Sequence, residues 1–364
     1  MIKKIINKIS RKKRSVKYTL TNQTQCLLTK LSTNLNKPLN KPTSIIISVT
    51  PNCPLRCRQC DIWKSPPTKP LTIQQGKIII NKLYQWLGEF CLNFTGGEPF
   101  LSRNLPQIIK YAENKGIITH VNTNGFLIDR KLALAIIDSD LSVISFSIDS
   151  PLSQIHDNLR GVKNTYHKAL KVIRYLQRNR INHPKIYINS IIMDANIKNL
   201  DKLVLLVQKE KIDGITFQAL LPNLASTQKP VDPRQNPLWP KNIKTLAKNI
   251  DKIITKSHNS TIIHSTNENL EIVKKYYINP DCLDNIQCSA GINNFIVDQH
   301  GDIRLCFELE PIGNIFRDNP KDVWLNQKSQ HQRQTIRQCR KPCKIITCNR
   351  FDNQRLNAIT SRHF

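Results

Sequence analysis

The chain has 364 residues, of which 39% are hydrophobic, and it carries a formal net charge of +29. This length and hydrophobic share suffice for one large domain and a smaller one. No run of 18 apolar residues predicts a transmembrane helix. The N-terminus lacks the apolar region and cleavage site of a signal peptide. We therefore expect a cytoplasmic protein, whose eleven cysteines serve as metal ligands rather than as disulfides.

Residues 1–42 are predicted to form a basic arm and linker. The first 17 residues hold eight Lys or Arg, and no Asp or Glu precedes Asp61. The four isoleucines of the first nine residues have the spacing of one helical face. Such a segment binds an anionic membrane surface, binds nucleic acid or stays solvated. Without interleaved aromatic residues we do not expect nucleic acid. Residues 1–14 are predicted to contact an anionic membrane, peripherally on its inner face, with a solvated arm as the alternative.

From residue 43 onward, short apolar runs alternate with helical patterns, which predicts parallel βα units. The predicted strands are 45–50, 90–94, 117–122, 141–148, 185–192 and 214–219. The predicted helices are about 73–88, 104–115, 130–138, 164–180, 197–210 and 241–257. The predicted domains are a core over 43–220, a proline-rich connector or lid over 221–285, a cysteine-rich domain over 286–350 and a tail over 351–364.

Two motifs follow the first two predicted strands. Cys53, Cys57 and Cys60 form a C-x3-C-x2-C run. Three thiolates can hold a [4Fe–4S] cluster and leave one iron open, because an ordinary cluster takes four. A zinc site would need a fourth Cys or His ligand. The second motif is the run 95–99, Thr-Gly-Gly-Glu-Pro. Each motif alone leaves more than one interpretation open.

Together, and in this order, the two runs resemble the radical S-adenosylmethionine (SAM) superfamily. The resemblance implies an α/β fold, a partial (β/α)6 TIM-like barrel whose site lies beyond the carboxyl ends of its strands. It implies that Cys53, Cys57 and Cys60 hold a [4Fe–4S] cluster whose fourth iron binds SAM. Reductive cleavage of SAM would then give a 5′-deoxyadenosyl radical that abstracts hydrogen. We expect a one-electron reductant such as flavodoxin or ferredoxin.

The resemblance also implies which residues bind SAM. The family run Gly96-Gly97-Glu98-Pro99 receives the amino group of SAM, and Glu98 adds negative charge near it. Further positions implied for the SAM pocket are Asn124, Ser147, Asp149, Arg160, Asn189 and Asn196. Arg160 could hold the SAM carboxylate with two hydrogen bonds. The family usually has an aromatic residue before the third cysteine, where this chain has Gln59. We therefore expect either Gln59 or Trp63 to contact adenine.

A second group of cysteines lies near the C-terminus. Cys288 and Cys306 flank a predicted hairpin, 295–298 and 303–307, and Cys339, Cys343 and Cys348 follow it. This pattern resembles the SPASM/Twitch auxiliary-cluster domain, a small α+β unit. A full domain of that type carries more cysteines and two clusters, so five cysteines predict one auxiliary [4Fe–4S] cluster. A zinc knuckle or free cysteines are the alternatives.

The predicted function is that of a radical SAM enzyme with one auxiliary cluster, acting in peptide or protein maturation. A sugar, cyclitol or lipid-linked substrate is the first alternative. A non-catalytic iron–sulfur protein and an RNA-modifying radical enzyme are the alternatives from other classes. Tyr166, His156 and His183 lie in or near the core. Each has a simpler structural explanation, so no general acid or base is assigned.

Overall fold

A computed structural model of the chain describes residues 27–29, 31–222, 232–283 and 286–346. The predictions for residues 1–14, Cys348 and the tail 351–364 lie outside the described residues. One nine-stranded sheet has the order β6-β5-β4-β3-β2-β1-β7-β8-β9. The strands are β1 (Ser44–Thr50), β2 (Cys91–Gly96), β3 (Ile118–Thr123), β4 (Val143–Ser147), β5 (Lys185–Ile192), β6 (Gly214–Ala219), β7 (Asn294–Val297), β8 (Asp302–Arg304) and β9 (Gly313–Asn314).

β1 to β6 are parallel to their neighbours and alternate with helices, as predicted. The sheet is open, so the fold is the expected partial barrel. The helices are α1 (Ile73–Leu87), α2 (Leu105–Asn114), α3 (Arg130–Asp138), α4 (Ser153–Arg160), α5 (Thr165–Asn179), α6 (Leu200–Lys209), α7 (Ile243–His258), α8 (Asn267–Ile278), α9 (Ala290–Asn293), α10 (Pro320–Leu325) and α11 (Gln327–Arg337). No helix in the described part of the chain is both long and apolar enough to cross a membrane.

Alternation along the strands separates an apolar face from a polar one. Leu92, Phe94 and Val121 are buried and belong to the main hydrophobic core. Asn93 and Asn122, at the intervening positions, are only half-buried. Successive side chains of a strand point to opposite faces, so the helices cover the apolar side and the inner side of the partial barrel is polar.

The C-terminal hairpin extends the core sheet. β7 pairs in parallel with β1, and Ser44 lies opposite Asn294. β8 and β9 then follow in antiparallel fashion. The hairpin was predicted from the turn at Gly301, but this pairing was not. Strands of the predicted core and of the predicted C-terminal domain therefore share one continuous sheet, and the domain limits stay a prediction.

Five of these helices were not predicted: α4, α8, α9, α10 and α11. α4 has only eight residues and two apolar positions, Ile155 and Leu159, too few to show a helical period. α8 lies in the connector, where α7 and α8 contribute Leu246, Ile250 and Leu270 to the main core. This part of the connector is packed onto the body. Whether any of 221–285 acts as a lid stays a prediction, and residues 223–231 lie outside the described residues.

Candidate functional site

Three thiols lie at the carboxyl end of β1. Cys53, Cys57 and Cys60 are half-buried in the loop that follows this strand. Burial, together with negative charge on Cys57, Glu98 and Cys60, raises the pKa of the Cys53 thiol to about 12. The three sulfurs therefore lie close enough to repel one another as thiolates. Since a cationic iron cluster would stabilise the thiolate form of each, this donor set fits the predicted [4Fe–4S] cluster.

The end of α4 holds this loop in place. The Arg58 N–H donates to Leu159 O at 2.9 Å, and the Arg56 N–H donates to Arg160 O at 3.2 Å. Gly161 has a left-handed φ of +69°, and a Cβ there would stand 2.3 Å from Arg56 O. Only glycine allows both this conformation and this approach. Sequence reasoning assigned no role to Gly161, although a glycine just after a helix is a recognisable signal.

The glycine run packs against the start of the same loop. The Gly97 N–H donates to Thr50 O at 2.7 Å, and the Glu98 N–H donates to Asn52 O at 2.9 Å. A Cβ at Gly97 would stand 2.2 Å from Asn52 O. The ends of β1 and β2 therefore meet backbone to backbone. The two sequence motifs are brought together as predicted, and the glycines permit that contact.

Glu98 is fully buried, and its carboxylate accepts hydrogen bonds from the protein. Oε1 accepts from the Thr123 hydroxyl at 2.7 Å and the Phe100 N–H at 3.1 Å, and Oε2 accepts from the Asn124 N–H at 2.8 Å. Burial raises the pKa of Glu98, and these hydrogen bonds oppose the shift. The carboxylate thus fixes residues 123 and 124, and the Asn124 amide reaches the Cys53 sulfur at 3.7 Å. The contact of Glu98 with an ammonium group stays a prediction.

Asp149 and Arg160 form a buried ion pair beside the cysteines. Arg160 Nη2 lies 2.7 Å from Asp149 Oδ2, and Nη1 lies 3.9 Å from the Cys57 sulfur. The Gln59 amide also donates to Asp149 Oδ2 at 3.3 Å, and the Ile191 N–H donates to Oδ1 at 3.0 Å. Burial raises the pKa of Asp149, and the Arg160 charge opposes this. Both oxygens of Asp149 therefore have protein partners.

Two polar atoms of this cluster have no hydrogen bond. Gln59 Oε1 and Arg160 Nε are buried and unpartnered within the described residues. A buried group of this kind costs about 1–3 kcal/mol when it stays unsatisfied. One is an acceptor and the other a donor, and both belong to side chains next to the cysteine loop. A ligand with an amino group and an anionic group, as SAM has, fits these unused positions.

His156 lies behind this cluster. Its Nδ1 accepts a hydrogen bond from the Asp149 N–H at 3.2 Å. Burial, followed by the charge of Arg160, lowers its pKa from 6.5 to about 3, while Asp157 opposes the shift. The imidazole is therefore neutral and serves as a fixed acceptor. This agrees with the prediction that His156 has a structural explanation.

The other predicted SAM residues are more dispersed. Ser147 is half-buried at the end of β4, and Pro99 is buried in a short 3-10 turn. The Asn196 amide donates to Asp149 O and to Ile191 O, both at 2.7 Å, so it fixes the chain beside the cluster. Asn189 instead donates to Asn122 Oδ1 at 2.9 Å on the inner face of the sheet.

Sequence reasoning missed the polar lining of this inner face. The Asn122 amide donates to Asn93 Oδ1 at 3.0 Å, and His120 Nε2 lies 2.7 Å from the Ser145 hydroxyl. Polar residues at every second position of β2 and β3 were the available signal. The inner face of the partial barrel is therefore lined by amides and hydroxyls.

A second set of thiols is gathered at the C-terminal end. Burial raises the pKa of the Cys343 thiol, and three neighbouring cysteines raise it further through their charge. These neighbours are Cys288, Cys306 and Cys339. The Lys341 N–H points at the Cys339 sulfur at 3.5 Å, the kind of hydrogen bond that supports a thiolate. Four of the five predicted auxiliary cysteines are therefore close together, and Cys348 lies outside the described residues.

Two other cysteines of the described part of the chain belong to neither set: Cys91 is half-buried in β2 and Cys282 is exposed. Among the described residues, no three His, Cys, Asp or Glu side chains are arranged to hold one metal ion.

The amino-acid sequence of the core is similar to that of known proteins. Residues 47–207 match the model of the Radical SAM superfamily. Fe-coproporphyrin III synthase of Methanosarcina barkeri is 29% identical over 184 residues, 50% of this chain and 45% of that protein. PqqA peptide cyclase of Bradyrhizobium diazoefficiens is 24% identical over 165 residues, 45% of this chain and 42% of that protein. The chain thus matches less than half the length of these curated relatives.

Solved structures show the same fold over most of the chain. SuiB of Streptococcus suis bound to S-adenosylmethionine has a TM-score of 0.63 at 17% identity, covering 81% of this chain and 68% of that one. The enzyme anSMEcpe with bound AdoMet and Cp18Cys peptide has a TM-score of 0.63 at 17% identity, covering 89% of this chain and 96% of that one. These shares of the chain are larger than residues 47–207, so the likeness in fold extends beyond that segment.

Proposed function

Because residues 47–207 match the Radical SAM superfamily, we propose that the chain is an enzyme that cleaves SAM reductively and modifies a peptide or protein side chain. The observation that carries the proposal is the cysteine loop, clamped by Gly97 on one side and Gly161 on the other. The loop sets three thiols beside an unused acceptor on Gln59 and an unused donor on Arg160.

Each residue of the site has a definite task in this proposal. Cys53, Cys57 and Cys60 hold the [4Fe–4S] cluster, which together with SAM supplies the 5′-deoxyadenosyl radical. Backbone carbonyls around Gly96 and Gly97 receive the SAM amino group. Nε of Arg160 meets the SAM carboxylate, and Oε1 of Gln59 meets the adenine amino group. Further SAM contacts come from Asn124, Ser147, Asp149 and Asn189. The buried Asp149–Arg160 ion pair orients these side chains and excludes water from the space beneath them.

We further propose that the C-terminal cysteines hold one auxiliary [4Fe–4S] cluster. The four gathered thiols of Cys288, Cys306, Cys339 and Cys343 supply the ligands that such a cluster takes. Cys348 would be a fifth, spare ligand. The paired carboxylate of Glu308, 2.6 Å from Lys341 Nζ, lies beside these thiols and adds charge there. When bound, an auxiliary cluster would accept the electron that a substrate radical loses as it becomes product.

A peptide substrate is supported by several relatives and neighbours. PqqA peptide cyclase is named for a peptide, and SuiB has been solved bound to its precursor peptide SuiA. The inner face of the barrel offers neutral amides of Asn93, Asn122 and Asn189, which suit the peptide group. A flavodoxin or ferredoxin would supply the electron, and residues 1–14 would contact an anionic membrane surface.

Release of 5′-deoxyadenosine tests the reaction class. The protein is reconstituted without oxygen, iron and sulfide are counted, and SAM and dithionite are added. We expect about eight irons per chain, as two four-iron clusters require, and product formation. Cys57→Ala should abolish cleavage and remove about four irons. The matched control is Cys282→Ala, because Cys282 is exposed and outside both thiol sets.

Other outcomes would change the assigned clusters or the assigned function. A count of about four irons per chain, with normal SAM cleavage, would support the radical site and contradict the auxiliary cluster. Cleavage by Cys57→Ala at the wild-type rate would refute the site. Intact clusters without cleavage, with and without peptide, would favour a non-catalytic iron–sulfur protein. Because one relative is named for coproporphyrin, a substrate screen compares peptides with porphyrins by hydrogen transfer into 5′-deoxyadenosine.

A further inference from the structure

A short helical segment before β1 exposes three of its four leucines and buries two of its polar side chains. Residues 27–29 and 31–35 are helical. Leu27, Leu31 and Leu35 are spaced four residues apart and are 60%, 42% and 62% exposed, and Leu39 beyond them is 42% exposed. We call these four side chains the leucine face. On the opposite side, buried polar residues Thr29 and Ser32 are 2% and 0% exposed. This reverses the usual orientation of an amphipathic helix on a soluble protein.

Hydrogen bonds hold the segment in this orientation. Thr29 Oγ1 accepts from the Asn40 amide at 2.7 Å, and Ser32 Oγ accepts from the Leu39 N–H at 2.9 Å. Ser32 also donates to Leu28 O at 2.6 Å. Turning the helix to bury its leucines would break the first two bonds and leave polar groups unpaired. The exposed leucines are therefore a stable feature of this fold rather than a loosely placed end.

The segment meets the body at the amino ends of the strands. The Thr43 N–H donates to Asn293 O at 3.0 Å, just before β1 and β7 begin. Lys41 Nζ donates to Trp86 O at 2.7 Å, at the last turn of α1, which runs back from the opposite edge. The cysteine loop follows the carboxyl end of β1. The leucine face is therefore attached at the amino ends of the strands, and the candidate active site lies at their carboxyl ends.

The charge around this segment indicates what covers it. Residues 1–41 contain eleven Lys or Arg and no Asp or Glu. Lys37 and Lys41, next to the leucine face, are exposed. A second copy of the chain would bring two such cationic segments together, and like charges repel. An anionic bilayer takes up leucines between its headgroups and attracts each cation near its surface.

We infer that the leucine face is a membrane-contact surface that inserts into the headgroup region of an anionic bilayer. This deepens the contact proposed for residues 1–14 by adding an apolar surface on the folded body. Stable attachment generally needs two such signals, one apolar and one cationic. The arrangement leaves the carboxyl edge of the sheet, with the cysteine loop, away from the attachment point. A substrate would then reach the site from the aqueous phase.

Vesicle co-sedimentation of the reconstituted full chain tests this inference. The test variant is Leu27→Ser/Leu31→Ser/Leu35→Ser. The control variant is Leu134→Ser/Leu205→Ser/Ile278→Ser, whose side chains are 42%, 54% and 56% exposed on other helices. We expect binding to phosphatidylglycerol vesicles and much weaker binding to phosphatidylcholine vesicles. The test variant should bind about tenfold more weakly or worse, while the control variant binds as the wild type. Circular dichroism and iron content confirm that both variants fold.

Two further arms separate the possible explanations. Deleting residues 1–14 should remove the salt-sensitive part of the binding and leave a remainder that the leucine variant loses. Equal vesicle binding by the test variant and the wild type would overturn the inference. So would a wild-type dimer that the test variant converts to a monomer, because a second copy would then cover the face. Vesicle binding does not require SAM cleavage, so its failure would leave the proposed reaction untouched.

Discussion

His156 provides a direct test of how the site is assembled. It is 1% exposed, and its Nδ1 accepts the Asp149 N–H at 3.2 Å. A proton on Nδ1 would face that N–H, donor against donor, and would break the bond. It would also add positive charge near Arg160, which together with burial lowers the pKa of His156 to about 3. The Tyr166 ring packs 5.9 Å away and leaves little room for adjustment.

The sign of the pH effect follows from this lowered pKa. The folded protein favours the neutral ring, whereas the unfolded chain takes up a proton near pH 6.5. The stabilisation is therefore fully present above pH 6.5 and is lost as the pH falls towards 3. Each pH unit in this window is worth about 1.36 kcal/mol. Between pH 6.5 and about pH 5 the loss is 1.5 × 1.36, or about 2 kcal/mol.

The assay is urea unfolding at several pH values, compared between the wild type and His156→Asn. The side chain introduced by His156→Asn keeps an oxygen that can accept the Asp149 N–H but does not titrate. This variant should be less stable at pH 7, because it fills less of the buried site. Its stability should nevertheless fall by about 2 kcal/mol less between pH 7 and 5. Buried Glu98 and Asp149 titrate in both proteins and cancel in the comparison. Parallel pH profiles would refute the reasoning.

Three further predictions concern neighbouring residues. Asp149→Ala leaves Arg160 buried without its partner and should cost about 3–5 kcal/mol of unfolding free energy. Arg103→Ala, which removes the exposed partner of Asp129, should cost about 1 kcal/mol or less in the same urea assay, and equal losses would contradict the burial argument. Gly97→Ala should displace the cysteine loop and reduce radical-site iron. The Cβ of a Gly291→Ala control would stand 3.1 Å from the Arg333 side chain, away from that loop, and should leave the radical-site iron unchanged. Gln59→Leu should weaken SAM binding about fivefold or more in calorimetry, and unchanged affinity would mean that Oε1 does not meet the ligand.

The local sequence pattern was sufficient to predict most strands of the core. β5 and β6 have the predicted bounds, and β1 to β3 begin or end within one residue of them. These strands are short runs rich in apolar residues that alternate with helical patterns, which is a strong local signal for parallel βα units. α4 was missed because two apolar residues in eight do not define a period. The pairing of β7 with β1 was missed because it joins residues 250 positions apart, and no local pattern specifies such a partner.

The sequence by itself determined the chemical inventory of the site: three thiols in a fixed spacing, a glycine run after the next strand, and five more cysteines near the end. Residue type and short-range spacing are written directly in the chain. Only the tertiary structure decided that Arg160 pairs its charge with Asp149 and lies by Cys57, 103 residues away. It also decided that Glu98 binds the backbone at 124 and that Gly161 supports Arg56. These contacts depend on how strand ends converge across a sheet, and that is a property of the whole fold.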